Sequence, residues 1–395
     1  MTAYLNHLGL VSPLGNHYSD TITALLTGQR QLKPASELLI NRPAWIGEVA
    51  GPLPNLPTEV SQFHSRNNQL LYAASLQIDA EIRQLIARFG THRIAIVLGS
   101  STSGIAESEM AIAAQQRGEA PQSGYSYQRH EMADPARFLA ALYQLDGPAY
   151  VISTACSSSA RALIAARRLL QMNLVDAVLC GGVDSLCQLT LNGFAALESV
   201  SSQPCNPFRA GRDGINIGEA AALFVMSREA APVALVGCGA SSDAYHISAP
   251  HPDGLGASAA MQAALLNANL TAQQIDYLNL HGTATKLNDA MESRAVADTF
   301  GEYLPPASST KALTGHTLGA AGALEAAFCW LLLQKKLNPT GRLPVQTGDG
   351  DFDPSLAQLN WPQTGLTYHP KTAMSNSFAF GGNNVSLIFQ TMSTV

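Results

Sequence analysis

This chain has few charged residues and no excess of basic ones. Asp, Glu, Lys and Arg make up 13% of its 395 residues, and the formal net charge is −6. Soluble domains carry about 25% charged residues, so this chain has little free surface per residue, as expected of a large core or of a face buried in a dimer. The net negative charge gives no reason to expect a nucleic-acid partner.

Long apolar runs and paired cysteines are also missing. No stretch reaches about 18 uninterrupted apolar residues, so we expect no membrane span. The N-terminus has no basic run followed by an apolar one, so no signal peptide is predicted. The six cysteines form no Cys-x-x-Cys pair, which argues against a zinc finger or a disulfide scaffold. These absences predict a cytoplasmic protein with reduced thiols.

Short β-like runs alternate with alanine-rich, helix-like segments along the chain. This alternation predicts an α/β fold with covered sheets, and the length predicts two domains or two fused halves. A boundary is expected near Ser227–Pro232, where an apolar strand ends in polar residues. The predicted strands are Arg93–Leu98, Ala149–Ser153, Ala177–Cys180, Ala221–Ser227 and Val233–Gly237, and the predicted helices are Leu70–Arg88, Ser158–Met172, Ala257–Ala268, Met291–Phe300 and Leu318–Lys335.

Two segments share one pattern, in which a reactive side chain precedes a helix rich in small residues. Thr154–Cys156 leads into a predicted helix that begins with serines and alanines, and Thr314–His316 leads into one rich in glycine and alanine. Small side chains allow close packing, so we expect both helices to run through the interior. The shared pattern favours an internal duplication.

Cys156 follows a predicted strand and stands where a helix begins. Unpaired N–H groups and the positive end of the helix dipole favour a thiolate, so we expect its pKa to lie below the usual value of about 8.5. The same N–H groups can hold an oxyanion. A buried structural cysteine is the commoner role, and we assign it to the other five cysteines. The Ala155–Ser159 context favours a nucleophile at Cys156.

Two histidines occupy settings that favour function. His281 ends the β-like run Asp276–Leu280, and strand ends are where α/β enzymes place reactive groups. His316 lies between two nearby glycines, which indicates tight backbone geometry. Lys311 and Glu325 flank His316 in alanine-rich surroundings. These surroundings favour a buried Lys311–Glu325 pair that fixes the loop. The alternative is two separate, solvated surface charges.

Taken in order, these motifs resemble those of the elongating, type II β-ketoacyl-acyl carrier protein synthases, and the likeness runs nearly end to end. Each motif alone is weak, and Ser377–Asn384 by itself matches no phosphate-binding glycine pattern. Their number and order are specific. The matching segments are Gly9–Asn16, Thr154–Ser158, Asn206–Phe208, Arg212–Gly214, Ser242–His246, His281–Thr283, Lys311, Gly315–His316 and Phe378–Asn384.

The resemblance implies a thiolase-like fold, with two similar α/β halves in a five-layer αβαβα arrangement and a dimer through the sheet edges. Residues 1–230 would form the half with the nucleophilic cysteine, and residues 231–395 the half with the catalytic histidines. The implied reaction moves an acyl group from a carrier's phosphopantetheine thiol to Cys156, and a malonyl-carrier then loses CO₂ and attacks the thioester. No metal or diffusible cofactor is implied, because covalent catalysis and fixed dipoles supply the chemistry.

The resemblance also implies residue roles. His281 and His316 would stabilise the donor enolate, and the backbone N–H groups of Cys156 and Phe380 would form an oxyanion hole. Phe380 would also act as a gate between the two half-reactions. The implied supporting residues are Lys311 and Glu325 at the histidine loop and Asp289 in the loop after His281.

Several positions depart from the family pattern, whereas Cys156, His281 and His316 match it. They indicate a specialised synthase, such as an aryl polyene or other polyketide ketosynthase, rather than a housekeeping fatty-acid enzyme. Such enzymes often pair with a similar subunit that lacks the cysteine, so a homodimer or a heterodimer with a chain-length-factor-like subunit is expected. The departures are Ala379, Asn288, Ala220 and Ala222 in place of glycines and Lys286 in place of a proline.

Other readings of the motifs stay open. A thiolase needs a second catalytic cysteine near the C-terminus, whereas the last one, Cys329, lies inside a predicted helix. An initiating synthase uses Cys-His-Asn, and His316 argues against it. A non-catalytic chain-length subunit lacks the nucleophile, and Cys156 counts against that. A carrier-binding scaffold with a vestigial site is the remaining alternative.

An acyl carrier protein is the expected partner under the resemblance. Such a carrier is acidic and should meet a basic patch at the mouth of the active-site tunnel. Arg66, Arg209 and Arg212 are the candidate docking residues. We expect neither a nucleic-acid partner nor a membrane span.

Overall fold

The computed structural model describes residues 2–35, 43–119, 125–365 and 367–392. The strands in these ranges are β1 (Ala3–Val11), β2 (Lys33–Ala35), β3 (Ala44–Gly47), β4 (Ile94–Gly99), β5 (Ala149–Ile152), β6 (Ala177–Asp184), β7 (Ile217–Gly218), β8 (Ala220–Ser227), β9 (Val233–Ser242), β10 (Tyr277–Asn279), β11 (Ala307–Ser308), β12 (Thr372–Ala379) and β13 (Asn383–Thr391). The helices are α1 (Tyr18–Thr27), α2 (Arg66–Leu76), α3 (Asp79–Phe89), α4 (Ile105–Gln116), α5 (Asp134–Tyr143), α6 (Ser158–Gln171), α7 (Gln188–Ala196), α8 (Leu255–Ala268), α9 (Lys286–Phe300), α10 (Lys311–Thr314) and α11 (Ala321–Leu333).

The main sheet of the described residues has ten strands in the order β11-β10-β12-β13-β9-β1-β8-β6-β4-β5, and β2-β3-β7 form a small second sheet. Five of the ten strands precede residue 230 and five follow it. The two sets meet where β1 pairs with β9, Ala3 opposite Leu235 and Tyr4 opposite Ala234. Every residue of β4, β6 and β8 is buried, as expected of strands covered on both faces.

Helices cover both outer faces of this sheet system and also fill its centre. Helices α2 and α5 pack on the outside of the N-terminal strands, and α8 packs on β9 and β13 with α9 beside it. Helices α6 and α11 pack against each other between the two sets of strands. Separate apolar clusters fill the three interfaces. These five layers are the predicted thiolase-like α/β fold.

The small residues of α6 and α11 allow this central packing. All 13 residues of α11 are buried. A Cβ added at Gly322 would lie 2.8 Å from the backbone nitrogen of Ala160 on α6, which is too close for any other residue. The prediction that both helices run through the interior is therefore confirmed.

Most predicted elements are present, but the single helix Leu70–Arg88 is wrong. The chain forms α2 and α3 instead, because Ile78 has the non-helical angles φ −128° and ψ 21°. Gln77 secures this break, since its side-chain amide donates to the carbonyls of Leu10 and Asn16 at 3.0 Å. The boundary expected near 230 falls in the turn between β8 and β9, and the division into two domains stays a prediction. None of the described helices has the length and apolarity needed to cross a membrane.

Candidate active site

Cys156 lies in the turn between β5 and α6 and is 6% exposed. The preceding Ala155 has φ 51°, a left-handed conformation that costs an L-residue about 1–3 kcal/mol. Ser158 closes the turn, because its hydroxyl accepts from the Thr154 N–H at 2.9 Å and donates to the Ala155 carbonyl at 2.6 Å. The turn holds the sulfur at the start of a buried helix, where sequence analysis places it.

His316 follows α10 and contacts the cysteine directly, with Nε2 3.0 Å from Sγ of Cys156. Burial and the Lys311 charge lower the pKa of His316 well below its usual value, so the ring is neutral. The Leu318 N–H donates to Nδ1 at 3.1 Å. A neutral imidazole that accepts at Nδ1 carries its proton on Nε2, so Nε2–H points at the sulfur.

His281 lies two residues after the end of β10 and is fully buried. Burial lowers its pKa well below the usual value, and the Lys311 charge lowers it further. Nδ1 faces Nζ of Lys311 at 3.4 Å, and an ammonium only donates, so the proton of this ring is also on Nε2. Nε2 has no hydrogen-bond partner among the described residues. The two imidazole rings lie 5.4 Å apart at 86°.

Lys311 and Glu325 form a buried ion pair behind the histidines. Nζ of Lys311 lies 2.5 Å from a Glu325 carboxylate oxygen, and Lys311 also donates to the His281 carbonyl. Burial raises the pKa of Glu325, and the Lys311 charge opposes this. The pair therefore holds both the backbone and the ring of His281.

The expectation of a lowered pKa at Cys156 is wrong. Burial raises the pKa of this thiol to about 11. The Lys311 charge and the backbone N–H groups of Phe380 and Cys156 all lower it, but they do not outweigh the loss of solvent. The resting group is therefore a thiol, and its deprotonation depends on the donors that surround the sulfur.

Phe380 lies on the other side of the sulfur, in the turn between β12 and β13. The next two residues, Gly381 and Gly382, have φ 79° and 75°, which only glycine adopts freely. The Gly381 N–H donates to the Ile247 carbonyl at 2.8 Å, and the Phe380 ring lies 5.7 Å from that of Phe194. The structure thus brings the Phe380 N–H and Cys156 together, as the oxyanion-hole expectation requires.

One cavity of about 440 Å³ connects these groups to the surface. This is within the range of about 300–1,000 Å³ that is usual for small-molecule sites. Aromatic and histidine side chains line the interior of the cavity, and charged side chains line its rim. Its lining includes Cys156, His281, His316, Phe194, Phe378 and Phe380, with Glu198, Asp213 and Lys286 at the charged part.

Asp289 lies in the first turn of α9 rather than in the loop after His281, so that part of the expectation is wrong. The reason is that Thr285 caps this helix, and its side chain accepts from the Asn288 N–H. The Asp289 carboxylate accepts from the Phe208 N–H at 2.8 Å and the Ala284 N–H at 3.2 Å. Burial raises its pKa to about 6.

Two buried carboxylates that sequence analysis missed also hold the site. Glu292 accepts from the N–H groups of His281 and Gly282, both at 2.7 Å. Asp184 accepts from the Ser101 N–H at 2.7 Å and from the Gly319 N–H, just after His316, at 2.6 Å. Glu292 could have been recognised in the sequence, because it lies one helical turn after Asp289. No comparable pattern marks Asp184.

The candidate docking arginines have intramolecular partners. Arg212 is 6% exposed and pairs with Asp353 at 2.5 Å, so its assignment to a surface patch is wrong. Arg66 pairs with the buried Glu219 at 2.5 Å. The Arg209 guanidinium lies 3.7 Å from the centre of the Phe352 ring. The docking role of Arg66 and Arg209 stays a prediction.

The arrangement defines a class of protein. The sulfur of a cysteine at a helix start and one ring nitrogen from each of two neutral histidines all lie within 4.8 Å of one another. In a thiolase-like fold, this is the Cys-His-His site of a condensing enzyme.

The chain belongs to the β-ketoacyl synthase family. The family's N-terminal domain matches residues 8–231, and its C-terminal domain matches residues 233–342. The 3-oxoacyl-[acyl-carrier-protein] synthase 2 of Coxiella burnetii is 32% identical over 406 aligned residues, which cover 96% of each chain. The protein of the same name from Staphylococcus aureus is 37% identical over 261 residues, and the match spans 63% of its length.

Solved structures of ketosynthases share the architecture. The ketosynthase ApeO from Xenorhabdus doucetiae, solved in complex with its chain length factor ApeC, has a TM-score of 0.95 and 44% identity, covering 99% of this chain and 98% of that one. A β-ketoacyl synthase from Burkholderia phymatum has a TM-score of 0.85 and 27% identity, covering 99% of each chain. The likeness therefore extends over the whole described fold.

Proposed function

We propose that this chain is a β-ketoacyl-acyl carrier protein synthase that catalyses decarboxylative Claisen condensation of an acyl thioester on Cys156 with malonyl-acyl carrier protein. One observation carries the proposal: Nε2 of His316 lies 3.0 Å from Sγ of Cys156, and the unpartnered Nε2 of His281 lines the same cavity. A nucleophile and two N–H donors around one cavity suit a reaction that forms and then attacks a thioester.

In the first half-reaction, the sulfur of Cys156 attacks the acyl thioester of a carrier. The new C–S bond forms at Cys156, the bond to the phosphopantetheine sulfur breaks, and the Cys156 proton leaves with the carrier thiol. The backbone N–H groups of Cys156 and Phe380 hold the tetrahedral oxyanion. His316 favours the attacking thiolate, because its Nε2–H donates to the sulfur.

In the second half-reaction, a malonyl thioester enters the cavity. Its bond to the carboxylate breaks, CO₂ leaves, and the electron pair moves into the thioester as an enolate. The Nε2–H groups of His281 and His316 donate to that enolate oxygen. The enolate carbon then attacks the Cys156 thioester, and the sulfur leaves as a thiolate and takes up a proton from solvent.

Lys311 and Phe380 contribute in different ways. Lys311 holds the His281 ring with its proton on Nε2, and Glu325 balances the charge of Lys311. Phe380 supplies an N–H, and its ring, against Phe194, gates the cavity between the two half-reactions. Asp289 supports the turn after His281. These groups support catalysis without a metal or a diffusible cofactor, because the substrates arrive on carrier phosphopantetheine.

We also propose that the chain works in a specialised pathway, of the aryl polyene or polyketide type, as a dimer with a similar subunit. Its 44% identity to ApeO, a ketosynthase solved with a chain length factor, supports this choice. Among the described strands, β5 lies at one edge of the sheet and has no buried residue, so this edge suits a partner strand. Native mass spectrometry of the complex purified from its own host distinguishes a homodimer from a heterodimer. The cytoplasmic location stays a prediction.

The experiment is a condensation assay with acyl- and malonyl-carriers. Cys156→Ala removes the only sulfur that the described residues place in the cavity lining, so we expect no acyl adduct and no β-ketoacyl product. Cys180→Ala, a buried cysteine of β6 outside the cavity, is the control and should keep both activities. Condensation at the native rate by Cys156→Ala would overturn the proposed function.

A further inference from the structure

The turn that carries His281 has an unusual backbone. Gly282 has φ 38° and Ala284 has φ 68°, so two of the three residues after the histidine are left-handed. Such conformations cost about 1–3 kcal/mol for a non-glycine residue and persist only where the surroundings enforce them. Surrounding groups must therefore determine where the His281 imidazole lies.

Helix α9 restrains one side of this turn. Glu292 accepts from the His281 and Gly282 N–H groups, and Asp289 accepts from the Ala284 N–H. These contacts fix the backbone amides. The Ser309 hydroxyl donates to the Gly282 carbonyl at 2.7 Å and restrains the turn further.

Phe208 and Ser309 both lie against Gly282 itself. A Cβ added at Gly282 would lie 2.8 Å from Cε2 of the Phe208 ring and 2.5 Å from Cβ of Ser309, so both side chains lie directly against the glycine. The Phe208 side chain is 1% exposed, and its N–H donates at 2.8 Å to Asp289. The same carboxylate accepts from Ala284, so Phe208 contacts the turn both directly and through Asp289.

Phe208 is itself held in a strained conformation. Its φ is 62°, which is a true outlier for a bulky residue. The Phe208 carbonyl accepts from the Asp353 N–H at 3.0 Å, and its ring packs 5.3 Å from Trp361. Arg212 lies between Asp353 and Asp289, 2.5 Å and 3.7 Å from their carboxylates. This many contacts around one strained aromatic residue indicate a precise placement of the ring.

We propose that Phe208 is a positioning residue for His281. This inference rests on the proposed function, in which His281 acts on the malonyl donor and Cys156 on the acyl donor. A displacement of about 1 Å in a reacting group can cost about 100-fold in rate. Loss of the Phe208 ring therefore slows decarboxylation, which needs the His281 N–H, and leaves acyl loading of Cys156 nearly unchanged.

The test compares Phe208→Leu with Phe300→Leu. Phe300 is 3% exposed, belongs to the same apolar cluster and ends α9, about 16 Å along the helix from Asp289. Each variant is assayed for acyl adduct formation on Cys156, for CO₂ release from malonyl-carrier, and for melting temperature. We expect Phe208→Leu to lower kcat for CO₂ release at least tenfold with acyl loading within twofold, and Phe300→Leu to leave both within twofold.

The outcomes separate this inference from the proposed function. If the native enzyme forms no acyl adduct or releases no CO₂, the proposed function fails. If it does both, and Phe208→Leu slows the two steps equally or neither of them, the positioning role is wrong. Should Phe208→Leu fail to fold, Phe208→Met keeps more of the apolar volume and is held to the same criterion.

A double-mutant cycle measures the contact itself. Gly282→Ala places a methyl group 2.8 Å from the Phe208 ring and 2.5 Å from Cβ of Ser309, and we expect it to lower CO₂ release. Phe208→Leu relieves the contact with the ring but not the contact with Ser309, so the added loss from Gly282→Ala should be smaller in the Phe208→Leu background without disappearing. Strictly additive losses would contradict a direct contact between ring and turn.

Discussion

The two halves of the chain each place a reactive side chain before a buried, small-residue helix, but they use it differently. Helix α6 begins two residues after Cys156, and the Cys156 N–H stays close to its own sulfur. Before α11, a 3-10 turn over Leu318–Ala320 intervenes, and the His316 N–H is bound to the Asn216 carbonyl at 2.7 Å. The start of α6 thus offers a backbone donor, and the segment before α11 offers a side-chain donor.

This difference shows which contacts hold the reactive group of each site in place. The cysteine site needs its local turn, because the Cys156 N–H comes from that turn. The histidine site needs distant charges, because Lys311, Glu325 and Glu292 fix the tautomer and the backbone. Changes to buried charges should therefore damage the histidine half first, and changes to packing should damage both.

The largest effect is expected on breaking the ion pair behind the histidines. Lys311→Met leaves the Glu325 carboxylate buried without its partner, so the free energy of unfolding should fall by about 3–5 kcal/mol. The double variant Lys311→Met/Glu325→Gln should recover most of that loss but little CO₂ release. Denaturant unfolding measures the first quantity, and a loss below about 1 kcal/mol would show that the pair is not coupled.

Removing one histidine should separate the two half-reactions. Loss of one oxyanion-type donor costs about 100- to 1,000-fold in kcat, so His281→Ala should lower CO₂ release by that factor. Acyl loading should change much less. His316→Ala should also weaken CO₂ release more than loading, with a greater effect on loading than His281→Ala because His316 contacts the sulfur. Equal losses in both steps for His281→Ala would contradict the division of roles.

Packing between α6 and α11 gives a smaller effect. Gly322→Ala forces a methyl group to within 2.8 Å of the Ala160 backbone, and overpacking of this kind costs about 1–3 kcal/mol. Gly193→Ala is the matched control, because nothing lies within 4 Å of its added Cβ in α7. It should stabilise the helix by about 0.5–1 kcal/mol. Thermal unfolding of both variants provides the comparison, and a stable Gly322→Ala would mean that the helices can separate without loss.

The smallest perturbation is a change of pH. Because burial raises the pKa of Cys156 to about 11, the thiolate fraction should rise about tenfold per pH unit between pH 7 and 9. The rate of Cys156 alkylation by iodoacetamide should follow this rise without a plateau. A plateau below pH 8 would show that the surrounding N–H donors outweigh desolvation after all.

The sequence predicted those parts of the site that depend on neighbours along the chain. Cys156 was predictable because a strand, a tight turn and a small-residue helix stand within a few residues of it. His281 was predictable from the strand end before it, and the interior course of α6 and α11 from their composition. The order of family motifs then implied the thiolase-like fold.

The parts that depend on distant residues were not predictable. Asp184 accepts from residues 82 to 135 positions away, and no local pattern marks that pairing. The predicted direction of the Cys156 pKa shift was wrong, because burial by other segments outweighs the effect of the helix start. The single helix Leu70–Arg88 failed since the break at Ile78 is set by tertiary contacts of Gln77.

Peptide mass spectrometry of the enzyme after stepwise addition of its two carriers tests the central claim most directly. With an acyl-carrier alone, the peptide containing Cys156 should gain the mass of the acyl group in the native enzyme and in His281→Ala. On addition of malonyl-carrier, the native adduct should disappear with release of CO₂, while the His281→Ala adduct persists. An acyl group on any other residue, or an adduct that His281→Ala cannot form, would contradict this account.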